Sequence, residues 1–274
     1  MNAQQFQKFI LDWYRRNNRD YLPWRVTSAR KVSPYEIFVS EIMLQQTQVA
    51  RVLEKYSQFL KAFPTIHHLA RAPLGNVLRV WQGMGYNRRA RYLKEAAKKI
   101  VERYHGVIPS DSALLRALPG VGPYTAGAIA CFAYNKPVVF LDTNIRKVLI
   151  NKFRHGENCV AVYDDKELLQ IAEKILYQKN PRRWHYALMD YGAVTLAKKK
   201  GLLKRVKSYH KQPRFAGSTR YWRSQIMKYL LQYDHASKDE LQAFVPSGEI
   251  KPLLSSLAKD GLVETSDDLY RISR

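Results

Sequence analysis

Two carboxylates and a glycine turn carry the chemistry this sequence could perform. Glu41 stands in "PYEIFVSEIMLQ", among Ile37, Phe38, Ile42 and Leu44. A carboxyl on an apolar helix face is costly unless protonated or paired. Burial lifts its pKa toward the range a general acid or base needs near neutral pH; a glutamate satisfied within its own helix is the plain alternative. Asp142 follows four apolar residues in "VVFLDTNIRKV" and precedes a helical pattern, where it or Asn144 also suits an N-cap. Between them lies "LPGVGPYTAG". A P-loop would need Gly-Lys-Ser/Thr here. A dinucleotide fingerprint would need a third glycine where Thr125 stands, and a strand where "SALLRAL" is helical. What remains is a helix, a tight turn of Gly120-Val121-Gly122, and a second helix begun by Pro123, with Leu118, Val121 and Ile129 pinning it to a core. The N–H groups of such a helix start suit a phosphate oxygen, although the loop alone reads equally well as a hairpin with no ligand. Together, a helix carboxyl, a carboxyl at the mouth of another helix and a phosphate-holding hairpin suit acid-catalysed cleavage of a glycosidic bond. One group protonates the leaving base and the other stabilises an oxocarbenium ion.

The elements that must position these groups read as helix after helix. "AQQFQKFILDWYRRN" places Phe6, Phe9, Ile10, Trp13 and Tyr14 at helical spacing, and "QVARVLEKYSQFLKAFP" sets Val49, Val52, Leu53, Tyr56, Phe59, Leu60 and Phe63 on one stripe. "YLPWRVTSARKVSP" is a loop, "PSDSALLRALPG" a helix capped by Asp111 or Ser110, and "KPVVFL" either a strand or a buried connector. Residues 1–196 are expected to be all-α. Composition changes next: residues 197–217 form a basic linker, either solvated or tracking phosphates, and "AKKKGLLKRVKSYHKQPRFAGSTR" holds nine Lys or Arg and no acid. Residues 218–274 read as three helices followed by two short β-type runs around Ser266-Asp267-Asp268, the order of a winged-helix domain.

Charge points to the partner. The 274 residues carry 46 Lys and Arg against 23 Asp and Glu, a net +23. That calls for an anionic partner, nucleic acid first and an anionic membrane second. No run of about 18 apolar residues exists to span a bilayer, and the first residues lack a signal-peptide pattern. A cytoplasmic, nucleoid-associated location is therefore expected. Only Cys131 and Cys159 are present, too few for a disulfide scaffold or a thiolate cluster. The seven His show no HExxH spacing, so neither metal nor cofactor is expected; His67 and His68 read as helix-surface residues.

"LPWR", "SEIMLQQTQV", "WQGMGYNRRARYL", "LPGVGPYTAGAI", "LDTNIRKV" and "YALMDYGAV" occur in an order that resembles the helix-hairpin-helix (HhH-GPD) DNA glycosylases of base excision repair, above all the A/G-specific adenine glycosylases. The resemblance covers about residues 5–196. It implies a two-lobed helical core, acting as a monomer on double-stranded DNA with a mismatched or damaged base. Glu41 would protonate adenine and activate water; Asp142 would stabilise the sugar cation with Asn144 in support. Tyr124 occupies the place where strand-cutting relatives keep a lysine, which implies a monofunctional hydrolase that leaves an abasic site. Gln46 and Tyr86 would wedge into the duplex, Trp24, Arg25 and Asp190 would line the base pocket, and Gly120, Val121, Gly122 and Thr125 would hold a DNA phosphate. On the residues alone, Trp24 is a packed side chain and Arg25 and Asp190 are surface charges.

Three departures stand out. Leu196 occupies the first cysteine position of the family's iron–sulfur loop, so the cluster is expected to be absent, with "KKKGLLKR" in its place. The tail is shorter than the domain with which adenine glycosylases read 8-oxoguanine, and Asn87 replaces a second aromatic after "GMGY". Two alternatives stay open: excision of thymine, uracil or another damaged base, and a non-catalytic DNA-binding protein, for which paired Glu41 and Asp142 would have no use.

Overall fold

A computed structural model of the chain describes residues 2–153, 162–199, 201–207, 214–246 and 248–273. Cys159 and part of the basic linker, Lys200 and residues 208–213, lie outside the described residues. Helices follow in order: α1 Ala3–Asn17, α2 Pro34–Leu44, α3 Val49–Ala62, α4 Ile66–Arg71, α5 Leu74–Trp81, α6 Arg88–Tyr104, α7 Ser112–Arg116, α8 Pro123–Tyr134, α9 Thr143–Phe153, α10 Asp165–Lys174 and α11 Pro181–Val194. After these come α12 Thr219–Tyr233, β1 His235–Ser237, α13 Lys238–Gln242, α14 Ile250–Lys259, β2 Val263–Ser266 and β3 Leu269–Ile272. The fold is mainly helical with one small sheet, as expected.

The chain divides into two compact units. The first comprises Met1–Ile37, Pro109–Ala117 and Val121–Lys211. Its core joins Phe6, Ile10 and Tyr14 of α1 to Trp184, Ala187, Leu188 and Tyr191 of α11 and Ile145, Val148 and Leu149 of α9. α8 is buried without a break from Thr125 to Phe132, which fits its sequence: it carries no charge, and a helix apolar nearly all round belongs inside. "KPVVFL" is not a strand but a connector that delivers Phe140 and Leu141 to the core. Leu196 and Val206 are buried in the same core, and a parallel bridge joins Tyr163 to Val206. The basic segment after α11 is thus anchored here by apolar side chains.

The second unit comprises Phe38–Ile108, Leu118–Gly120 and Gln212–Arg274. The predicted stripe of α3 is buried at Val52, Tyr56 and Phe59, and Asp111 rather than Ser110 caps α7, accepting from Ala113 and Leu114. His67 and His68 are exposed. Residues 219–272 form the expected three helices and hairpin, with one addition: β1 pairs with β3, giving an antiparallel sheet ordered β1-β3-β2. Three residues of "HAS" were too short to signal a strand. The hairpin turns at Asp267 and Asp268, both at positive φ (52° and 59°), the backbone that a tight hairpin requires.

Candidate active site

In the first unit Asp142 sits immediately before α9. Its Oδ1 accepts the Ile145 N–H at 2.6 Å and its Oδ2 accepts the Asn144 side-chain amide at 3.0 Å. Asp142, not Asn144, is therefore the capping group, and Asn144 steadies it. The residue as a whole is half-buried. Desolvation pushes its pKa above the ordinary carboxylate range, opposed by those hydrogen bonds and by the charge of Arg146. Arg146 itself is clamped elsewhere, on Asp165 at 2.8 Å through both nitrogens and on the Leu141 carbonyl. Asn144 is pressed from behind by Gly192 of α11: a Cβ there would land on the Asn144 carbonyl and 2.7 Å from its Cβ.

α8 begins with Pro123 at its first position, and no side chain caps it. An uncapped helix start preceded by a glycine turn suits an external anion. The two glycines of the turn do different work. Gly120, in the second unit, has φ +74°, and an added Cβ would come within 2.8 Å of the Tyr92 Cβ. Gly122 has φ −86°, and nothing lies within 4 Å of the place a Cβ would take. Only Gly120 is demanded by the fold; at Gly122 the open space faces whatever approaches. Val121 and Thr125 are buried, at 7% and 3% exposure, so their side chains serve the core.

Tyr124, in the first turn of α8, meets Phe140 edge-on at 5.6 Å between ring centres. From Phe140 the aromatic contacts run on to Phe132 at 5.5 Å, to Tyr186 at 4.7 Å and to the Arg25 guanidinium, 4.4 Å above the Tyr186 ring. Arg25 grips Asp190 with two bonds, 2.7 and 2.6 Å, and Arg19 adds two more, from its backbone N–H at 2.9 Å and its Nε at 2.6 Å. Arg25 is 3% exposed and Asp190 0%. The surface-charge alternative thus fails: this is a buried, fully satisfied ion pair that fastens the loop after α1 to α11. Burial alone would lower the Arg25 pKa, but Asp190's hydrogen bonds and charge raise it. Trp24 is packed, at 6% exposure.

In the second unit Glu41 is 4% exposed on α2. Gln46 and Tyr86 are exposed, and both hold positive φ, 53° and 50°. Non-glycine residues rarely sit there without a constraint. The constraint is Arg89, which sequence reasoning missed. It is 9% exposed. Nη1 donates to the carbonyls of Ile42, Met43 and Gln45 at 2.9, 2.9 and 2.6 Å, and Nη2 to Thr47 Oγ1 and the carbonyls of Met84 and Gly85 at 2.9, 3.2 and 3.2 Å. One guanidinium thereby closes the C-terminus of the Glu41 helix and ties the Gln46 loop to the Tyr86 loop. Its plane also lies over Trp81 and Tyr86, at 5.2 and 5.5 Å. Desolvation pushes its pKa down to about 10, so it stays charged. A signal existed: Arg89 falls on the buried stripe of α6 with Leu93, Ala96, Ala97 and Ile100, an arginine where the period calls for an apolar residue.

The HhH-GPD superfamily base excision DNA repair protein family matches residues 39–178. That span holds Glu41, Gln46, Tyr86, the glycine turn, Asp142 and Asn144, and leaves out Trp24, Arg25 and Asp190. The chain is 38% identical over 198 residues to the adenine DNA glycosylase of Buchnera aphidicola, covering 72% of this chain and 55% of that one. It is 40% identical over 184 residues to the adenine DNA glycosylase of Mycobacterium tuberculosis, covering 67% and 59%. The chain thus spans little more than half the length of these relatives. Among solved structures, a thermostable thymine-DNA glycosylase is 30% identical with a TM-score of 0.63, covering 74% of this chain and 91% of that one.

Proposed function

The chain belongs to the HhH-GPD superfamily of base excision DNA repair proteins, and on that premise we propose that it is a monofunctional adenine DNA glycosylase acting on mismatched duplex DNA. Residues 1–196 would form the glycosylase core, 197–217 a basic linker and 218–274 an appended winged-helix-like domain. The observation that carries the reading is the enclosure of the two carboxyls. Glu41 is buried on α2, at 4% exposure. Asp142 is aimed by two hydrogen bonds and held in a desolvated setting, where a carboxylate interacts strongly with a developing cation.

The target adenine leaves the stack, Glu41 protonates it, and the C1′–N9 bond breaks. Asp142 stabilises the oxocarbenium ion, and water completes an abasic site. Gln46 and Tyr86 fill the gap left in the duplex. The uncapped start of α8, with open space over Gly122, takes a backbone phosphate, the sequence-blind part of binding. Tyr124, without an amine, forms no Schiff base, so the strand is left intact.

A second reading, thymine excision from G mismatches, is favoured by the nearly end-to-end coverage of the thymine-DNA glycosylase. One panel decides: duplexes holding A opposite 8-oxoguanine, A opposite G, T opposite G and U opposite G, each incubated with the protein and then treated with alkali. Adenine duplexes should yield alkali-labile sites. Sites only in the T or U duplexes would move the specificity, none at all would end the enzyme reading, and cleavage before alkali would end the monofunctional one.

A further inference from the structure

The tail of the chain differs from the rest in charge. Residues 218–274 hold eight Lys or Arg and eight Asp or Glu, so the whole net +23 belongs to residues 1–217. The tip of the hairpin carries Asp267 and Asp268, both exposed. A winged helix that grips DNA presents basic side chains to the phosphates, and an acidic wing would be repelled by them.

Its arginines are instead turned to the elements of its own unit. Arg220 Nη1 donates to the Tyr86 hydroxyl at 2.7 Å, and its guanidinium lies 5.6 Å from the centre of that ring. Arg223 bonds Ser256 and Asp260. Asp260 in turn receives Arg88 of α6 at 3.2 Å, while its carbonyl receives Arg91 at 2.7 Å. Gly261, at φ +61°, leaves the room Arg91 needs: a Cβ there would run into the guanidinium. From α5, Arg79 reaches the Leu231 carbonyl at 3.3 Å and the Asp234 carboxylate at 2.9 Å. The module is seated on α5 and α6 on either side of the loop that carries Tyr86.

We propose that the C-terminal module is a brace for the Tyr86 wedge, with Arg220 as its positioning residue, and not a DNA-gripping domain in its own right. The inference rests on the glycosylase reading for what the wedge does, but the bracing itself needs no DNA. Arg89 fixes the loop from within and Arg220 fixes the hydroxyl end of the ring. A side chain already held in place loses less freedom when it enters the duplex, a saving of about 0.5–1.5 kcal/mol per ordered side chain, which corresponds to roughly two- to tenfold in rate.

The test uses the full chain with Arg220→Ala and Arg220→Gln; glutamine keeps a donor for the hydroxyl without the charge. In DNA-free protein, amide hydrogen exchange across residues 83–89 should rise in R220A and return toward wild type in R220Q. Single-turnover base release should slow by roughly two- to tenfold in R220A and recover in R220Q, with duplex affinity and its salt dependence unchanged. Unchanged exchange in R220A would overturn the proposal. So would weaker binding and a salt slope smaller by about one in both variants, the mark of a lost phosphate contact. If the wild type releases no base, the glycosylase reading fails, while the exchange measurement still decides the brace.

Discussion

At the scale of single residues, Asp142 serves two ends that conflict. It caps α9 and it carries a charge where the surroundings disfavour one. Because its pKa is raised on folding, the fold favours the protonated carboxyl. That stability is present at low pH and is lost as pH rises through the folded-state value. At neutral pH the wild type therefore carries a cost that asparagine, still able to accept the Ile145 N–H, does not. Asp142→Asn should abolish excision, by a hundredfold or more, while raising the melting temperature at pH 7, with the gain shrinking toward pH 4. Base release and thermal unfolding at the two pH values check both halves; a variant that melts lower at pH 7 would contradict the raised pKa. Activity of the wild type should fall as pH drops through a value above the ordinary aspartate range, since only the carboxylate steadies a cation.

Elements bring a sharper contrast. Gly120→Ala meets both a left-handed backbone and the Tyr92 side chain and should cost about 1–3 kcal/mol in a urea titration. Gly122→Ala meets neither and should leave stability within about 0.5 kcal/mol, yet weaken duplex binding by blocking close approach to α8. Equal loss of stability in the two would refute this division of labour. Arg89→Ala removes six hydrogen bonds from the end of α2 and its neighbouring loops and should destabilise by about 3 kcal/mol; Arg89→Lys, a point charge without the fork, should recover only part of it. The helices themselves were legible in the sequence, because period and capping are local: the α3 stripe and the Asp111 cap needed only neighbours a few residues away. What Arg89 and Asp190 do was not legible, because most of Arg89's partners lie 42–47 residues away and those of Asp190 lie 165–171 residues away. Spacing shows that a charge sits on a buried face, and only the fold shows which groups receive it. "KPVVFL" was ambiguous for a related reason: β-branched residues suit a strand, but Val138 and Val139 are half-buried in a connector with no strand partner, and only Phe140 and Leu141 reach the core.

For the whole molecule, the count of basic residues exaggerates the charge available to a ligand. Arg19, Arg25, Arg89 and Arg146 are spent on internal acceptors, and residues 218–274 are neutral. Binding to duplex should still weaken steeply with salt, by roughly a hundredfold or more between 50 and 200 mM, as expected when several phosphates are neutralised. Lys251→Ala with Lys259→Ala, both exposed on the C-terminal module, should leave that salt slope as it was. A shallower slope would place the module on the nucleic acid. Leu196, at the place where the resemblance implies a first cluster cysteine, is buried instead in the apolar core, as is Val206 ten residues on, where the Tyr163 bridge fastens the segment.

Gly192 sets a limit on how freely this sequence can drift. It lies 48 positions from Asn144 and has no part in the proposed chemistry, but the two are in backbone contact. The smallest possible change, one methyl group, would push on the residue that aims Asp142. A library scored for repair and for stability should therefore show Gly192→Ala as lowered in both, a site of intolerance invisible to any survey confined to the pocket.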